Sequence, residues 1–170
     1  MKTTRIAAAL GIALATVVSV PAGAQQLKMM TGPQGGSWYP LGGAIQNIIE
    51  KNVPGTGVQV LPGAGISNVL GVQTGKAELG FGNAGSSVDG VNGVEPFKQK
   101  TANVCHIGTL YFQYFHAVVL VDAGVKSGAD LKGKALTTQQ KGNTGEQMTR
   151  DLLKVYGLDY SKMSKVNFGS

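Results

Sequence analysis

The chain has little of what most enzymes and membrane proteins need. One cysteine, Cys105, occurs in 170 residues, so no disulfide can form within the chain. Cys105 lies in the apolar stretch Asn103-Val104-Cys105-His106-Ile107-Gly108 and reads as a small buried hydrophobe. There are two histidines, His106 and His116, and neither has a carboxylate or second ligand at metal-like spacing. No Ser/His/Asp order and no G-x-S-x-G elbow is present. No catalytic residue, metal site or cofactor is therefore expected. Aromatics make up 6% of the chain and do not interleave with a basic block, which excludes a base-stacking surface for nucleic acid. Lys126, Lys132, Lys134 and Lys141 are the nearest to a basic cluster and read as a solvated face.

Long hydrophobic runs are also scarce. The apolar run Ile6–Val20 is about fifteen residues, short of the roughly twenty that span a bilayer. Lys2 and Arg5 precede it, and Pro21-Ala22-Gly23-Ala24 follows it. This is the pattern of a secretory signal peptide over residues 1–24, cleaved after Ala24. Export to the periplasm is the expectation. Removing 24 of the 170 residues leaves 146, and losing Lys2 and Arg5 lowers the formal charge from +6 to +4. That mild positive balance suits an anionic ligand.

Glycine is what the chain has in quantity, with 26 residues. It gathers in loops at fixed places. The apolar run Leu27–Thr31 leads into Gly32-Pro33-Gln34-Gly35-Gly36-Ser37-Trp38-Tyr39. A helix is then predicted from about Pro40 to Asn52, with Leu41, Ala44, Ile45, Ile48 and Ile49 at steps of three and four. Val58–Leu61 is a second strand. Pro62-Gly63-Ala64-Gly65 is a second loop, and Ser67-Asn68 opens a helix with Ile66, Val69, Leu70 and Gln73 on its inward face. Leu79–Phe81 and the loop Gly82–Ser87 repeat the unit once more. Gly63-x-Gly65 lacks the third glycine and the following acidic residue of a dinucleotide fingerprint. Strand–loop–helix units in series predict an α/β fold with a parallel sheet, in which ligands sit at the carboxyl ends of the strands. First-turn N–H groups there are unpaired and attract anions.

Further along, Val104–Leu110 is apolar and strand-like around Cys105, Tyr111–Phe115 is aromatic-rich, and His116–Val121 reads as a β-branched strand. Ser127 caps a short turn over Ala129–Leu131. Lys134–Thr138 is a strand and Gln139–Gly145 a polar loop. Glu146–Tyr156 is a helix with Met148, Leu152, Val155 and Tyr156 inward, and Gly157 is its left-handed terminator. Lys165–Phe168 is a last strand.

In this order the loops T-G-P-Q-G-G-S-W-Y-P-L-G-G, P-G-A-G-I-S-N-V and E-L-G-F-G-N-A resemble the ligand loops of the TAXI-type solute receptors of TRAP transporters. G-V-K-S-G-A-D-L-K-G-K-A-L-T resembles the start of their second lobe, and K-G-N-T-G-E-Q-M-T-R-D-L-L-K-V-Y-G-L their second-lobe loop and helix. The resemblance implies a type II-like periplasmic binding protein with two lobes of mixed and parallel sheet. It places the first lobe at residues 25–115 and the crossover with the start of the second at 116–170. Such receptors run to about twice this length, so the second lobe is expected to be incomplete. It implies a monomer that grips a small carboxylate or amino acid and hands it to TRAP permease subunits. The second-lobe loop departs from the family's commoner G-S-G-T-E, with Gly142-Asn143-Thr144-Gly145-Glu146 in its place.

The site expected from loops and resemblance together is Ser37, Trp38 and Tyr39; Gly65, Ile66, Ser67 and Asn68; Asn83 and Ser86; and Asn143, Thr144 and Gly145. Ser67 and Thr144 also read as capping residues, and Trp38 as a packing residue. No arginine lies in these loops and Lys141 is the one cation near them, which favours a carboxylate over a phosphate. A receptor for an ABC transporter or a sensor system, and an enzyme on a similar scaffold, are the other readings the residues allow.

Overall fold

A computed structural model describes residues 25–169; the signal-peptide reading of residues 1–24 lies outside the described residues. The first half holds three strands, β1 (Gln25–Met30), β2 (Thr56–Leu61) and β3 (Leu79–Gly80). Their order is β2-β1-β3, and both pairings are parallel. Between and after them run α1 (Trp38–Asn52), α2 (Gly65–Gln73) and α3 (Ala84–Asn92). The second half adds β4 (Ala135–Gln139), α4 (Thr144–Val155) and β5 (Lys165–Gly169), with β4 and β5 parallel in a separate two-stranded sheet. The fold is α/β with parallel sheets, as the alternation predicts.

Close helix–sheet packing explains several small residues. Thr31, fully buried, bonds through both its N–H and its hydroxyl to Leu61 O, at 2.9 and 3.0 Å, and so extends the β1–β2 ladder by one step. A Cβ at Gly42 would lie 2.5 Å from Thr31 Cγ2, so only glycine lets α1 lie this close to β1. Ile66, Val69 and Phe97 form one buried cluster with Val104 against it. Leu153, Leu158 and Met163 form a second, flanked by Leu131, Leu136, Tyr160 and Val166.

Four expectations need correction. Residues 104–120 form no strand and, between Val104 and Val119, no backbone hydrogen bond among the described residues. Apolar, β-branched composition makes a strand only where a neighbouring strand offers a ladder, and none lies beside this segment among the described residues. Cys105, on the same segment, is consequently exposed, not buried. On α2, Leu70 is 41% exposed, and Gly65, Asn68 and Gly71 join Ile66 and Val69 on the buried face. On α4 the inward face is Glu146, Thr149 and Leu153, whereas Met148, Val155 and Tyr156 are exposed. Gly157 does adopt the left-handed conformation, at φ 66°.

Candidate functional site

Each α-helix follows a strand's carboxyl end after a loop of three to seven residues, so the first turns of α1, α2 and α3 gather beyond the carboxyl end of the three-stranded sheet. One side chain holds the three loops in register. Asn68, 1% exposed, donates from Nδ2 to Thr31 O (2.7 Å) and Phe81 O (2.8 Å) and accepts from Ala64 N–H (3.0 Å). Gly63 N–H adds a bond to Gly32 O at 3.2 Å. Loops after β1, β2 and β3 are thereby joined through a buried amide.

The four α-helices among the described residues share an unusual end. The N-cap residues are Ser37, Ala64, Asn83 and Asn143, and none makes a side-chain bond to its own helix. No acidic residue occupies the first turn of α1, α2 or α3. α4 carries Glu146 there, but that carboxylate is 2% exposed and already engaged. Its Oε2 lies 3.3 Å from Arg150 and its Oε1 accepts from Tyr160 Oη at 2.9 Å. Burial, reinforced by Glu146, pushes the Tyr160 phenol up to about 12. The short helical turns away from the site are treated differently. Asp130 accepts from the N–H groups of Lys126 and Ser127, and Asp159 from Ser161 N–H. Both carboxyls are held below their ordinary range, chiefly by the Lys126 N–H for Asp130 and by Ser161 for Asp159. Carboxylates thus cover the turns at 128–131 and 160–162, whereas none covers the first turns of α1, α2 and α3, where an outside anion can take the place of one.

The second sheet's helix faces this cluster. Ser86 Oγ and Thr144 Oγ1 are 2.6 Å apart. Ser67 donates to Gly142 O from its N–H (3.3 Å) and its hydroxyl (3.4 Å). A Cβ at Gly65 would collide with Thr144 Oγ1 and lie 2.7 Å from Asn83 Oδ1, so the bare backbone of Gly65 is what lets the first turns of α2 and α4 meet. At the other end of the cluster Trp38 stands edge-on to Phe81, with centroids 5.7 Å apart, and donates from Nε1 to Tyr111 Oη at 2.8 Å. Asn83 Nδ2 donates to Gln113 Oε1.

The expected residues thus divide. Gly65, Ser67, Asn83, Ser86 and Thr144 come together, and Asn143 stands beside them as the α4 N-cap. Trp38 reaches the cluster through Phe81 and Tyr111. Ser37 is exposed without a cap bond, and Tyr39 is half-buried with its N–H on Gly36 O at 3.3 Å. Ile66 places its side chain in the core cluster. The N–H groups of Ser67 and Asn68 are taken by Gly142 O and Ala64 O, while those of Gly65 and Ile66 precede the first helical bond and have no intrahelical acceptor. Gly145 O accepts from Thr149 Oγ1 at 2.8 Å, inside α4. Neither Ser67 nor Thr144 is an N-cap; the caps are Ala64 and Asn143. Lys141 sits over the Phe168 ring, 5.3 Å from its centroid. Tyr111 and Gln113 carry no motif and were missed; the aromatic run around them was the available signal. Two surface hollows, of about 280 and 240 Å³, lie away from the cluster, one along Arg150, Leu153 and Tyr160 and the other along Val119, Leu131 and Tyr156. Among the described residues no three His, Cys, Asp or Glu side chains gather as a metal site, and no helix is long and apolar enough to cross a membrane.

A family model described as the NMT1-like family matches residues 29–170, and the chain belongs to that family. Among solved structures it is similar to the periplasmic aliphatic sulphonate binding protein SsuA from Escherichia coli, at 17% identity and a TM-score of 0.46. That alignment covers 85% of this chain and 44% of the Escherichia coli protein, so the chain spans less than half of that structure's length.

Proposed function

We propose that this member of the NMT1-like family is an extracytoplasmic solute receptor that binds a small carboxylate or amino acid and delivers it to a TRAP-type permease. The observation that carries the reading is the meeting of uncapped helix N-termini, three of them without a first-turn acid, at one loop cluster. Backbone N–H groups of Gly65 and Ile66 take the acid group. The hydroxyls of Ser67, Ser86 and Thr144 and the amides of Asn83 and Asn143 surround it, Gly145 lies behind Thr144, and Trp38 with Tyr39 and Ser37 walls the carbon skeleton. Asn68 holds the loops in place. Each dipole end contributes roughly 0.3–1 kcal/mol, which suits one or two carboxylates better than a densely charged phosphate.

The resemblance of the loops to TAXI receptors supports the transporter assignment and lobes at 25–115 and 116–170. Grip between lobes requires contacts from both sides of the cleft. Ser86 and Thr144, 2.6 Å apart, are placed to exchange their mutual bond for bonds to a ligand. No catalytic role is proposed for any residue, and residues 1–24 are proposed to direct export.

The test is a thermal-shift screen of the full chain against mono- and dicarboxylates, amino acids, alkanesulphonates, inorganic phosphate and sugars. A concentration-dependent rise in melting temperature with one carboxylate class is expected from mass action. A rise with a sugar alone overturns the acid pocket. Co-purification with an ATPase-driven permease instead of a TRAP permease overturns the transporter assignment and leaves the pocket standing.

A further inference from the structure

Trp38 opens α1 and Asn83 is the N-cap of α3, yet both direct a donor onto one three-residue stretch, Tyr111–Gln113. Nothing else fixes that stretch by backbone hydrogen bonds among the described residues. The directions of the bonds follow from the donor inventory. An indole nitrogen only donates, so Trp38 Nε1 gives its hydrogen to Tyr111 Oη at 2.8 Å. Gln113 Oε1 accepts from Asn83 Nδ2, which turns Gln113 Nε2 towards Tyr111 Oη, 3.2 Å away, as a second donor. A phenolic oxygen has two lone pairs and one hydrogen. Both lone pairs are filled, and the hydrogen has no acceptor among the described residues. Tyr111 is 46% exposed, so that hydrogen is accessible from outside.

We infer that Tyr111 is a specificity-determining residue of the ligand site: its hydroxyl, locked as a donor by Trp38 and Gln113, bonds an oxygen of the bound carboxylate. Gln113 is a positioning residue that acts through Tyr111. The inference rests on the receptor reading above and adds to it a side wall drawn from the segment that follows the first sheet. A ligand that presents a donor at this point meets the Tyr111 hydrogen head-on and is rejected, which gives the site a polarity that helix ends alone do not supply.

Trp38 is the sole tryptophan, so its fluorescence reports the network and its ligand together. Succinate and L-glutamate are titrated into the full chain, its Tyr111→Phe and Gln113→Leu variants, and the double variant. Tyr111→Phe keeps the ring; its expected effect is a shifted Trp38 emission, an unchanged melting temperature and about tenfold weaker binding, the size of one hydrogen bond to a charged group. Gln113→Leu frees one lone pair and lets the hydroxyl turn, with a loss of about threefold. The double variant is expected to lose less than the product of the two single losses, because the part of the Gln113 effect that runs through the hydroxyl is already gone in Tyr111→Phe, while the Asn83 bond to Gln113 is lost in either background. Wild-type affinity in Tyr111→Phe overturns the inference and leaves the receptor reading intact, as does a double variant whose loss is the product of the two. A wild-type chain whose Trp38 answers to neither acid removes the receptor reading and this inference with it.

Discussion

Asn68 shows how much one side chain can organise. Its amide makes three bonds to the backbones of three loops while 1% exposed. Replacing it with alanine leaves two carbonyls and one N–H without their partner, and the expected cost is about 3 kcal/mol. Urea denaturation of Asn68→Ala checks this. A loss below about 1 kcal/mol would show that water substitutes for the amide. Tyr160 gives a second prediction at this scale. Its pKa is raised from 10.0 to about 12, by burial first and Glu146 second. The folded chain therefore holds the phenolic proton more tightly than the unfolded chain. Its contribution is full below pH 10 and is lost as pH rises from about 10 to about 12. Stability measured across that range is expected to fall more steeply in the wild type than in Tyr160→Phe; parallel curves would contradict the assignment. In the sequence Asn68 is visible as a polar residue at a helix start, but not as a latch. Its partners Thr31 and Phe81 lie 37 and 13 residues away, and a bond of that separation leaves no local pattern.

At the scale of elements, the glycine loops and the strands before them were legible, because turn chemistry and short apolar runs are local signals. The helices begin earlier than expected, by two residues for α1, α2 and α4 and by about four for α3. α2 opens at Gly65 and α3 at Ala84, within stretches rich in glycine and serine that read as loop. α4 was misread by face. Its buried side is Glu146, Thr149 and Leu153, held by the Tyr160 bond, the Arg150 ion pair and a 2.8 Å contact between Thr149 and Thr138 hydroxyls. Hydrophobic periodicity sees only apolar residues and misses polar ones buried with partners. Leu153 is the apolar anchor of that face, 0% exposed, and Leu153→Ala is expected to cost about 2–5 kcal/mol. Chemical denaturation checks it, with Val155→Ala, at 78% exposure, as the near-neutral comparison. The stretch 104–120 failed for the opposite reason. Its composition is that of a strand, and composition carries no information on whether a neighbour is there to pair with it.

At the scale of the molecule, two parallel sheets bring their loops to one place, and the chain's open helix ends meet there. Sequence alone indicated this by the series of strand–loop–helix units, since parallel strands put all such loops at one sheet edge. It did not indicate that Tyr111 and Gln113 would stand beside Trp38 and Asn83, because that contact crosses 73 and 30 residues of chain. Nor did it indicate that the helix ends at the cluster would lack the carboxylate caps present at the Asp130 and Asp159 turns.

The proposed function requires a small acid to sit on these helix ends. Backbone amide shifts of the nitrogen-15-labelled chain, followed as succinate or L-glutamate is added, test it most directly. Downfield movement of the Gly65 and Ile66 amides is expected, with Ser86 and Thr144 responding in the same titration. Shifts confined to the hollow along Arg150, Leu153 and Tyr160, with Gly65 and Ile66 unmoved, would contradict it.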